Sequence, residues 1–559
     1  MQGGTSPPII MGTMDRLQEV KKAKWDVIVV GTGIGGGTIG YALAKAGFRV
    51  LFLEKGRNSH LADYDDTIDG EYAENFLNEN LPKEALPNRR ILRQTGRYSD
   101  LVYDATASPP YAFSPFIGEG SGGSSALYGM VMERFFPNDF SVKPYFHDAP
   151  GASLPEAWPV DYNDLRPYYR AAESLYRVRG ELDPLRQNSL DSLISPPPLS
   201  APSHELFEFL KTKGLHPYTM PMAYECVPDC QECIGYLCPK ECKNDSMRIC
   251  IAPAIKNHLA TLLDNCAVSH LEATQERVTA VWCTIGQEKF SLEAKVIILA
   301  AGALHTPSIL LRSQSPLWPN GLANTSGLVG KNLMRHYFDL YCVKTEAEVD
   351  SGALIKQIAF NDLYCRDDHK LGTVQAVGRL APSGALVKEL HDEIHRKGNP
   401  VLATFIRSAR PIIKMGVERF ISSRLILTAI MEDLPYEDNQ VQLANGGNGI
   451  KIKYTIHAYD KKRINLFRQK VKALLHPLHF TFVKNAENNE RLAHACGTCR
   501  FGNDPATSVL DAKNRTHDLD NIYIVDASFF PTASGINPSL TIAANALRVA
   551  DKILATLKS

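Results

Sequence analysis

A strand read from Trp25 to Val30 runs straight into Gly31-Thr-Gly33-Ile-Gly-Gly36, then a helix, then a second strand that ends at Glu54. The alternation returns twice downstream. An apolar strand from Lys295 to Ala300 precedes a helix beginning at Gly302, and a strand from Asn521 to Asp526 precedes a long C-terminal helix. These observations predict an α/β fold with a discontinuous Rossmann-type dinucleotide-binding domain, and they leave the intervening sequence for an α+β second domain.

The first unit is the most regular. Trp25 to Val30 is apolar and β-branched enough for a buried parallel strand. Ile39, Ala42, Leu43 and Ala46 mark one face of the helix, Gly47 ends it, and Phe48 to Leu53 forms the second strand. A G-x-G-x-x-G run alone is weak; between a strand and a helix, with an acidic residue closing the next strand, it is specific. Gly31, Gly33 and Gly36 let the backbone approach a pyrophosphate, whose charge the helix N-terminus receives. Glu54 would hydrogen-bond a free ribose hydroxyl, which suits FAD or NAD and disfavours NADP.

A second loop, Ile117-Gly-Glu-Gly120-Ser-Gly122-Gly123-Ser124-Ser125, reads as a phosphate cradle, as a close passage under a ring, or as a plain linker. Trp158 to Gly180 reads as a loop and then a helix, with Asp164 near its start. Leu185 to Ser203, rich in Pro, Ser and Leu, reads as a surface connection. Residues 336 to 490 are mixed and suit a separate substrate domain. Within them, Val401 to Leu427 interleaves apolar runs with Arg407, Arg410, Lys414, Arg419 and Arg424. Helices bordering the substrate site or the surface explain that pattern; a basic amphipathic segment touching a membrane or an anionic partner is the other reading.

The C-terminal stretch carries the chemistry. His494-Ala-Cys-Gly-Thr-Cys-Arg-Phe-Gly502 precedes the last strand, and Gly535-Ile-Asn537-Pro538-Ser-Leu-Thr541 follows it. Leu540, Ala543, Ala544, Leu547, Ala550 and Leu554 have helical spacing, Asn537 is a good N-cap and Pro538 a favourable first helical residue. The helix would present free N–H groups just past Asn537, where a reduced, negatively charged flavin is stabilised.

A chain of 559 residues allows roughly two to four domains. Lys plus Arg and Asp plus Glu number 61 each, so the charge balance gives no support for a nucleic-acid partner. Residues before the first strand hold no continuous apolar core and include Pro7, Pro8, Asp15 and Glu19, so a flexible tail over 1–23 is expected, without a signal peptide. No stretch approaches the roughly 18 uninterrupted apolar residues of a spanning helix. A cytoplasmic location is the expectation, with periplasmic export alongside a partner left open. Six of the 12 cysteines lie between Cys226 and Cys250, which in such a chain favours a metal site over a disulfide framework.

With these residues in hand, the chain resembles the glucose–methanol–choline (GMC) family of FAD-dependent oxidoreductases, in the branch of cholesterol oxidases and bacterial sugar dehydrogenases. The likeness rests on Gly31 to Glu54, Gly122-Gly-Ser-Ser125, Trp158-Pro-Val-Asp-Tyr162 with Tyr168-Tyr169, Ala301-Gly-Ala-Leu-His-Thr306-Pro307, Gly330-Lys-Asn332-Leu-Met-Arg-His336 and the C-terminal block. It implies an FAD domain over 24–150, 225–335 and 490–559, with a cysteine-rich loop at 226–250. It implies a substrate domain on an antiparallel sheet over 151–224 and 336–489. FAD would be held non-covalently by Gly31, Gly33, Gly36, Glu54, Gly122, Gly123, Ser124, Ser125, Val268, Asp526, Ala527, Asn537, Pro538 and Thr541. Residue 128 is Tyr where many relatives carry Asn or His, so no histidyl bond to the flavin forms there. His494 matches the base that takes the hydroxyl proton while the carbon gives hydride to flavin N5. Asn537 matches the residue that orients the substrate oxygen.

Cys230, Cys233, Cys238 and Cys242, spaced C-x2-C-x4-C-x3-C, resemble in part the loop of the family's sugar dehydrogenases in which an iron–sulfur cluster passes electrons to another subunit. Lys243 stands where a Pro often follows, and Cys226 and Cys250 are extra. An iron–sulfur cluster, zinc, and disulfides or free thiols therefore stay open. The implied function is oxidation of a CH–OH group of an alcohol, sugar or sterol-like small molecule, with an electron-transfer subunit as partner where a cluster is present. An oxygen-using oxidase without metal, and a lyase with non-redox FAD, are the alternatives.

Overall fold

The computed structural model describes residues 13–558, apart from 59–84, 187–192, 350–353, 379–382, 489–491 and positions 147, 229, 231, 241, 367–368, 397, 445–446, 448 and 493. The elements that position the site are, along the chain, α1 (Thr13–Lys22), β1 (Trp25–Val30), α2 (Ile34–Lys45), β2 (Val50–Leu53), α3 (Tyr162–Leu175), β3 (Tyr218–Thr219), β4 (Ala260–Leu263), β5 (Ala294–Leu299) and α4 (Gly302–Arg312). They continue with β6 (His336–Lys344), β7 (Ile358–Phe360), β8 (Gly372–Ala376), α5 (Ser383–Arg396), α6 (Pro400–Ser408), α7 (Arg410–Ile421), β9 (Arg424–Glu432), β10 (Phe480–Val483), β11 (Ile522–Ile524) and α8 (Ser539–Lys558).

A parallel sheet in the order β11–β5–β1–β2–β4 gathers strands from four distant stretches of sequence. Val27 of β1 lies opposite both Val296 of β5 and Val50 of β2. β1 and β2 are apolar at almost every position because both faces of a parallel sheet are covered. Ile39 and Leu43 of α2 and Val549 and Ile553 of α8 share one buried cluster with Val27 and Val29. On the other side of α8, Leu540, Ala543 and Ala544 join Leu165 and Tyr169 of α3.

Two expectations shift at helix ends. The second strand starts at Val50, not Phe48, because the Phe48 N–H turns back to donate to Leu43 O at 3.2 Å around the left-handed Gly47. The C-terminal helix starts at Ser539, with Pro538 O accepting from the Ile542 N–H at 3.0 Å. Asn537 therefore lies outside the helix and does not cap it. Residues 13–22, expected as flexible tail, are helical: Leu17 and Val20 are buried, and Trp25 Nε1 donates to Val20 O at 3.1 Å. Burying those two side chains outweighs the low helical propensity of a chain end. Residues 1–12 lie outside the described residues. No helix among the described residues is long and apolar enough to cross a membrane.

The second sheet is antiparallel, in the order β10–β6–β9–β8–β7–β3. The end of β9 is held by a buried cation. Lys370 Nζ lies 2.8 Å from Asp139 Oδ1 and also pairs with Glu432, the last residue of β9; all three side chains are fully buried. Asp139 further accepts from Tyr364 OH at 2.6 Å and Ser534 Oγ at 3.0 Å. Removing the cation would strand two carboxylates. Lys370→Met is expected to cost about 3–5 kcal/mol, read as a lowered thermal unfolding midpoint.

Candidate active site

A cavity of about 1150 Å³ runs from the Gly31–Gly35 turn to the face of the antiparallel sheet. At its first end, the left-handed Gly31 turns the chain where a Cβ would lie 2.4 Å from Ala300 O. At Gly33, by contrast, an added Cβ would meet nothing within 4 Å. The open space there lies over the start of α2, whose N–H groups are free to receive an anion. Gly123 brings the second glycine loop onto this turn, its ideal Cβ only 3.0 Å from Gly33 Cα.

Glu54 lines the same end, accepting from Thr32 Oγ1 at 2.5 Å and from the Gly56 N–H at 2.8 Å. Burial raises its carboxyl pKa and those donors oppose the shift. Asp526 accepts from the Gly302 N–H at 2.9 Å, Thr306 Oγ1 at 2.5 Å and the Ser528 N–H at 2.8 Å, so it pins the turn after β11 to the start of α4. Ser124, Ser125, Val268, Ala527 and Pro538 also line the cavity. Three expected contacts do not lie on its wall. Gly36 packs where a Cβ would sit 2.2 Å from Gly31 O. Gly122 O holds a tight turn by accepting from the Ser125 N–H at 3.1 Å. Thr541 Oγ1 is taken by Tyr169 OH at 2.8 Å behind α8.

The other end is floored by β6, β9 and β8. His336, Phe338 and Leu340 lie opposite Glu432, Ile430 and Thr428, and Gln375 lies opposite Thr428. Alternate residues share a face, so these form successive rows about 7 Å apart. His336 begins the floor, Phe338 and Ile430 make the apolar middle, and Leu340, Thr428 and Gln375 make the far row. In that far row Thr428 Oγ1 and Gln375 Oε1 are buried with no hydrogen-bond partner among the described residues.

His494 and Asn537 meet over this floor. His494 Nδ1 lies 2.9 Å from His336 Nδ1, and His336 Nε2 lies 3.2 Å from Ala533 O. A carbonyl can only accept, so His336 Nε2 carries its proton. The His336 Nδ1 lone pair then accepts from His494 Nδ1–H, which leaves the lone pair of His494 on Nε2. Burial holds the His336 imidazole down to about 4. Burial, then electrostatic competition from the adjoining His336 ring and the Lys356 ammonium, hold His494 well below the usual histidine range. The Asn537 side chain lines the cavity with its Oδ1 unpartnered among the described residues.

Lys356, on the approach to β7, also lines the cavity. It is 3% exposed, and its ammonium sits where a Cβ on Gly129 would lie 1.9 Å away. Burial pushes its pKa down to about 8, against the attraction of Glu232. The alternation His336-x-Phe338-x-Leu340 is a legible strand signal for a cavity-facing histidine. Nothing in the sequence singles out Lys356, Gln375 or Thr428.

The GMC oxidoreductase family descriptors match residues 159–338 and 435–546, which span more than half of the chain. The chain belongs to the GMC oxidoreductase family. A NAD(P)-binding Rossmann-like descriptor also matches residues 29–73. The chain is 26% identical over 574 aligned positions to 6'''-hydroxyparomomycin C oxidase of Streptomyces lividus, covering 98% of this chain and 93% of that protein. It is 25% identical to the fructose dehydrogenase large subunit of Gluconobacter japonicus, covering 95% of this chain and 98% of that one. It is 22% identical to a long-chain-alcohol oxidase of Arabidopsis thaliana, covering 98% of this chain and 69% of that one. The fold matches pyridoxine 4-oxidase from Mesorbium loti at a TM-score of 0.63 and 18% identity, covering 95% of this chain and 99% of that one.

GMC oxidoreductases bind FAD, and the dinucleotide end of the cavity fits it: an open cradle at Gly33, a helix N-terminus, and an acidic residue at the end of β2. Tyr128 lines the wall and donates its OH to Asn244 O at 2.7 Å, so this member of the GMC family offers no histidine at that position for a flavin bond. The cysteine loop abuts the same wall through Ile234. Cys242 Sγ lies 3.7 Å from Cys230 Sγ and 3.4 Å from Cys238 Sγ, too far for a disulfide at about 2.05 Å. Among the described residues no group of three or more His, Cys, Asp or Glu side chains is arranged to hold a metal ion.

The cradle makes a clean test. Gly33 has ordinary right-side backbone geometry at φ −64°, so a side chain is tolerated by the fold and enters only the cavity. Gly33→Val is expected to unfold at the same temperature as wild-type apoprotein but to purify without the visible absorption of a flavin.

Proposed function

We propose that this protein oxidises a CH–OH group of an elongated, largely apolar alcohol, with His494 as the base. FAD, when bound, supplies the acceptor of the hydride. The observation that carries the reading is the hydrogen-bond relay from His494 through His336 to Ala533 O, which leaves His494 Nε2 as the free lone pair of a cavity-lining ring. A neutral imidazole in that tautomer takes the hydroxyl proton as the C–H bond breaks. Asn537 holds the substrate oxygen through its amide, so that the carbon is oriented before the proton moves. His336 acts through His494 as a positioning residue.

The body of the substrate is read from the floor. Phe338, Leu340, Val377, Leu386, Ile430 and Leu492 line the cavity beyond the histidines. Such walls favour a hydrocarbon body over a sugar, which would strand its hydroxyls. The Thr428 and Gln375 groups, without a partner among the described residues and two rows or about 14 Å from His336 along β6, suit one distal hydrogen-bonding group.

The test is anaerobic flavin reduction by long-chain alcohols. Wild type is expected to bleach; His494→Ala is expected to keep FAD and to lose about 10²–10⁴-fold in rate. A wild type that binds FAD and these alcohols without bleaching would leave the lyase. The sign of the pH dependence follows from the depressed His494 pKa: the base is lost as pH falls through that value, so the acid limb lies below 6.5. Lys356→Met removes a charge that disfavours protonated His494, so the limb is expected to move upward.

The cysteine loop supports a second reading of where electrons go. Its thiols converge and its Ile234 touches the cavity wall, which is where a relay to a partner subunit would start. Metal analysis of protein purified without oxygen decides it. Iron at about three or four atoms per chain makes the loop an iron–sulfur relay. Zinc makes it structural. Neither leaves oxygen or a quinone-like acceptor to take electrons directly from the flavin.

A further inference from the structure

Helices α5, α6 and α7 form a cap with two unlike faces. Inside, Leu386 of α5 lines the cavity, and Ala403 and Ile406 of α6 are buried. Outside, α7 has no buried residue at all. Large apolar side chains protrude from that outer side: Val401 is 80% exposed, Phe405 63%, Ile412 71% and Met415 66%. Val401 and Phe405 are four residues apart and Ile412 and Met415 three apart, so each pair shares one face of its helix. Isolated exposed apolar residues are ordinary; two adjoining pairs on consecutive helices are a patch.

The charge around the patch is one-sided. Residues 400–421 contain Arg407, Arg410, Lys414 and Arg419 against the single acid Glu418, in a chain whose net charge is zero. Glu418 accepts from Ser383 Oγ at 2.6 Å and lies 3.7 Å from Lys414 Nζ, so its charge is engaged within the cap.

We propose that the outer face of α6 and α7 docks on an anionic lipid surface. Protruding apolar side chains ringed by Arg and Lys are what an interfacial helix needs: the apolar groups enter the acyl boundary while the bases stay with the headgroups. The protruding apolar side chains sit in a segment with four cations and one acid, which suits an anionic fluid surface. A docked cap also places the inner wall at Leu386 one helix layer from the lipid. That arrangement would supply a lipophilic alcohol directly, a consequence that rests on the function proposed above; the docking itself does not.

The test is sedimentation of the FAD-loaded protein with vesicles of phosphatidylcholine alone or mixed with phosphatidylglycerol. Binding to the anionic vesicles, weakened by salt, is the expected result. The variant Phe405→Ser/Ile412→Ser/Met415→Ser is expected to lose about tenfold or more of that binding while reducing its flavin with a short soluble alcohol as wild type does. Reversing charge with Arg407→Glu/Lys414→Glu should remove the preference for anionic lipid. Absence of wild-type binding, or equal binding by the serine variant, overturns the proposal. A wild type that ignores vesicles but self-associates through residues lost in the serine variant assigns the face to a protein contact instead. Failure of flavin reduction with intact vesicle binding would count against the proposed function alone.

Discussion

One buried cation ties the antiparallel sheet to the segment that supports the reacting loop. Lys370 is held between Asp139, on the segment that follows the second glycine loop, and Glu432, at the end of β9. From there a chain of contacts leads to the reacting centre. Asp139 fixes Ser534 and Tyr364, Tyr364 OH accepts from the Gly535 N–H at 2.9 Å, and the loop so held presents Ala533 O to His336. His336 in turn fixes His494. The tautomer of the proposed base is therefore set five contacts away, by an ion pair that touches neither cofactor nor substrate. A buried pair of this kind adds little net stability compared with apolar packing, but breaking it is costly, which suits a part whose task is to fix geometry.

The same burial sets the electrostatics. Burial, His336 and the nearby Lys356 ammonium favour the unprotonated ring of His494, the state that the proposed base needs at neutral pH. Lys356 would also favour the alkoxide-like charge that grows on the substrate as its proton leaves. Gly129 makes room for the ammonium, so that a residue without a side chain and a residue with a long one act as a single feature.

What could be read from the sequence follows from how local each signal is. The turn from Gly31 to Gly36 and the strand ends beside it are dictated by residues next to one another; α2 ends before Gly47 as expected, though it begins inside the glycine run at Ile34, and β2 starts two residues late at Val50. His494 and Asn537 stood out because they flank a strand–loop–helix unit at fixed offsets, and the fold brings both to one cavity. Asn537 was mistaken for a cap because helix boundaries depend on a single backbone hydrogen bond, here made by Pro538 O. The antiparallel sheet followed from the family resemblance, as found, but the pairing of its rows was not legible, for a different reason. Its rows pair residues such as Leu340, Thr428 and Gln375 across long separations, and a strand declares which face is buried but not which partner lies opposite. Thr541 belongs to the same class: the family resemblance implied a cofactor contact, and the position of Tyr169 on α3 engages its hydroxyl instead.

The backbone records the cost of this arrangement. His494 and Ser534 both adopt left-handed conformations, at φ 59° each, where glycine would fit without strain. Each costs roughly 1–2 kcal/mol for an L-residue. Glycine cannot replace either. One position carries the imidazole hydrogen-bonded to His336, proposed above as the base, and the other the hydroxyl that reaches Asp139 at 3.0 Å. Strain at these two positions persists because the surrounding contacts over-determine them, the condition under which non-glycine residues hold such geometry at functional sites. The Lys370 junction thus reaches past its own sheet: through Asp139 it holds Ser534 in an unfavourable backbone state, so that the loop leading to Asn537 is kept against the cavity.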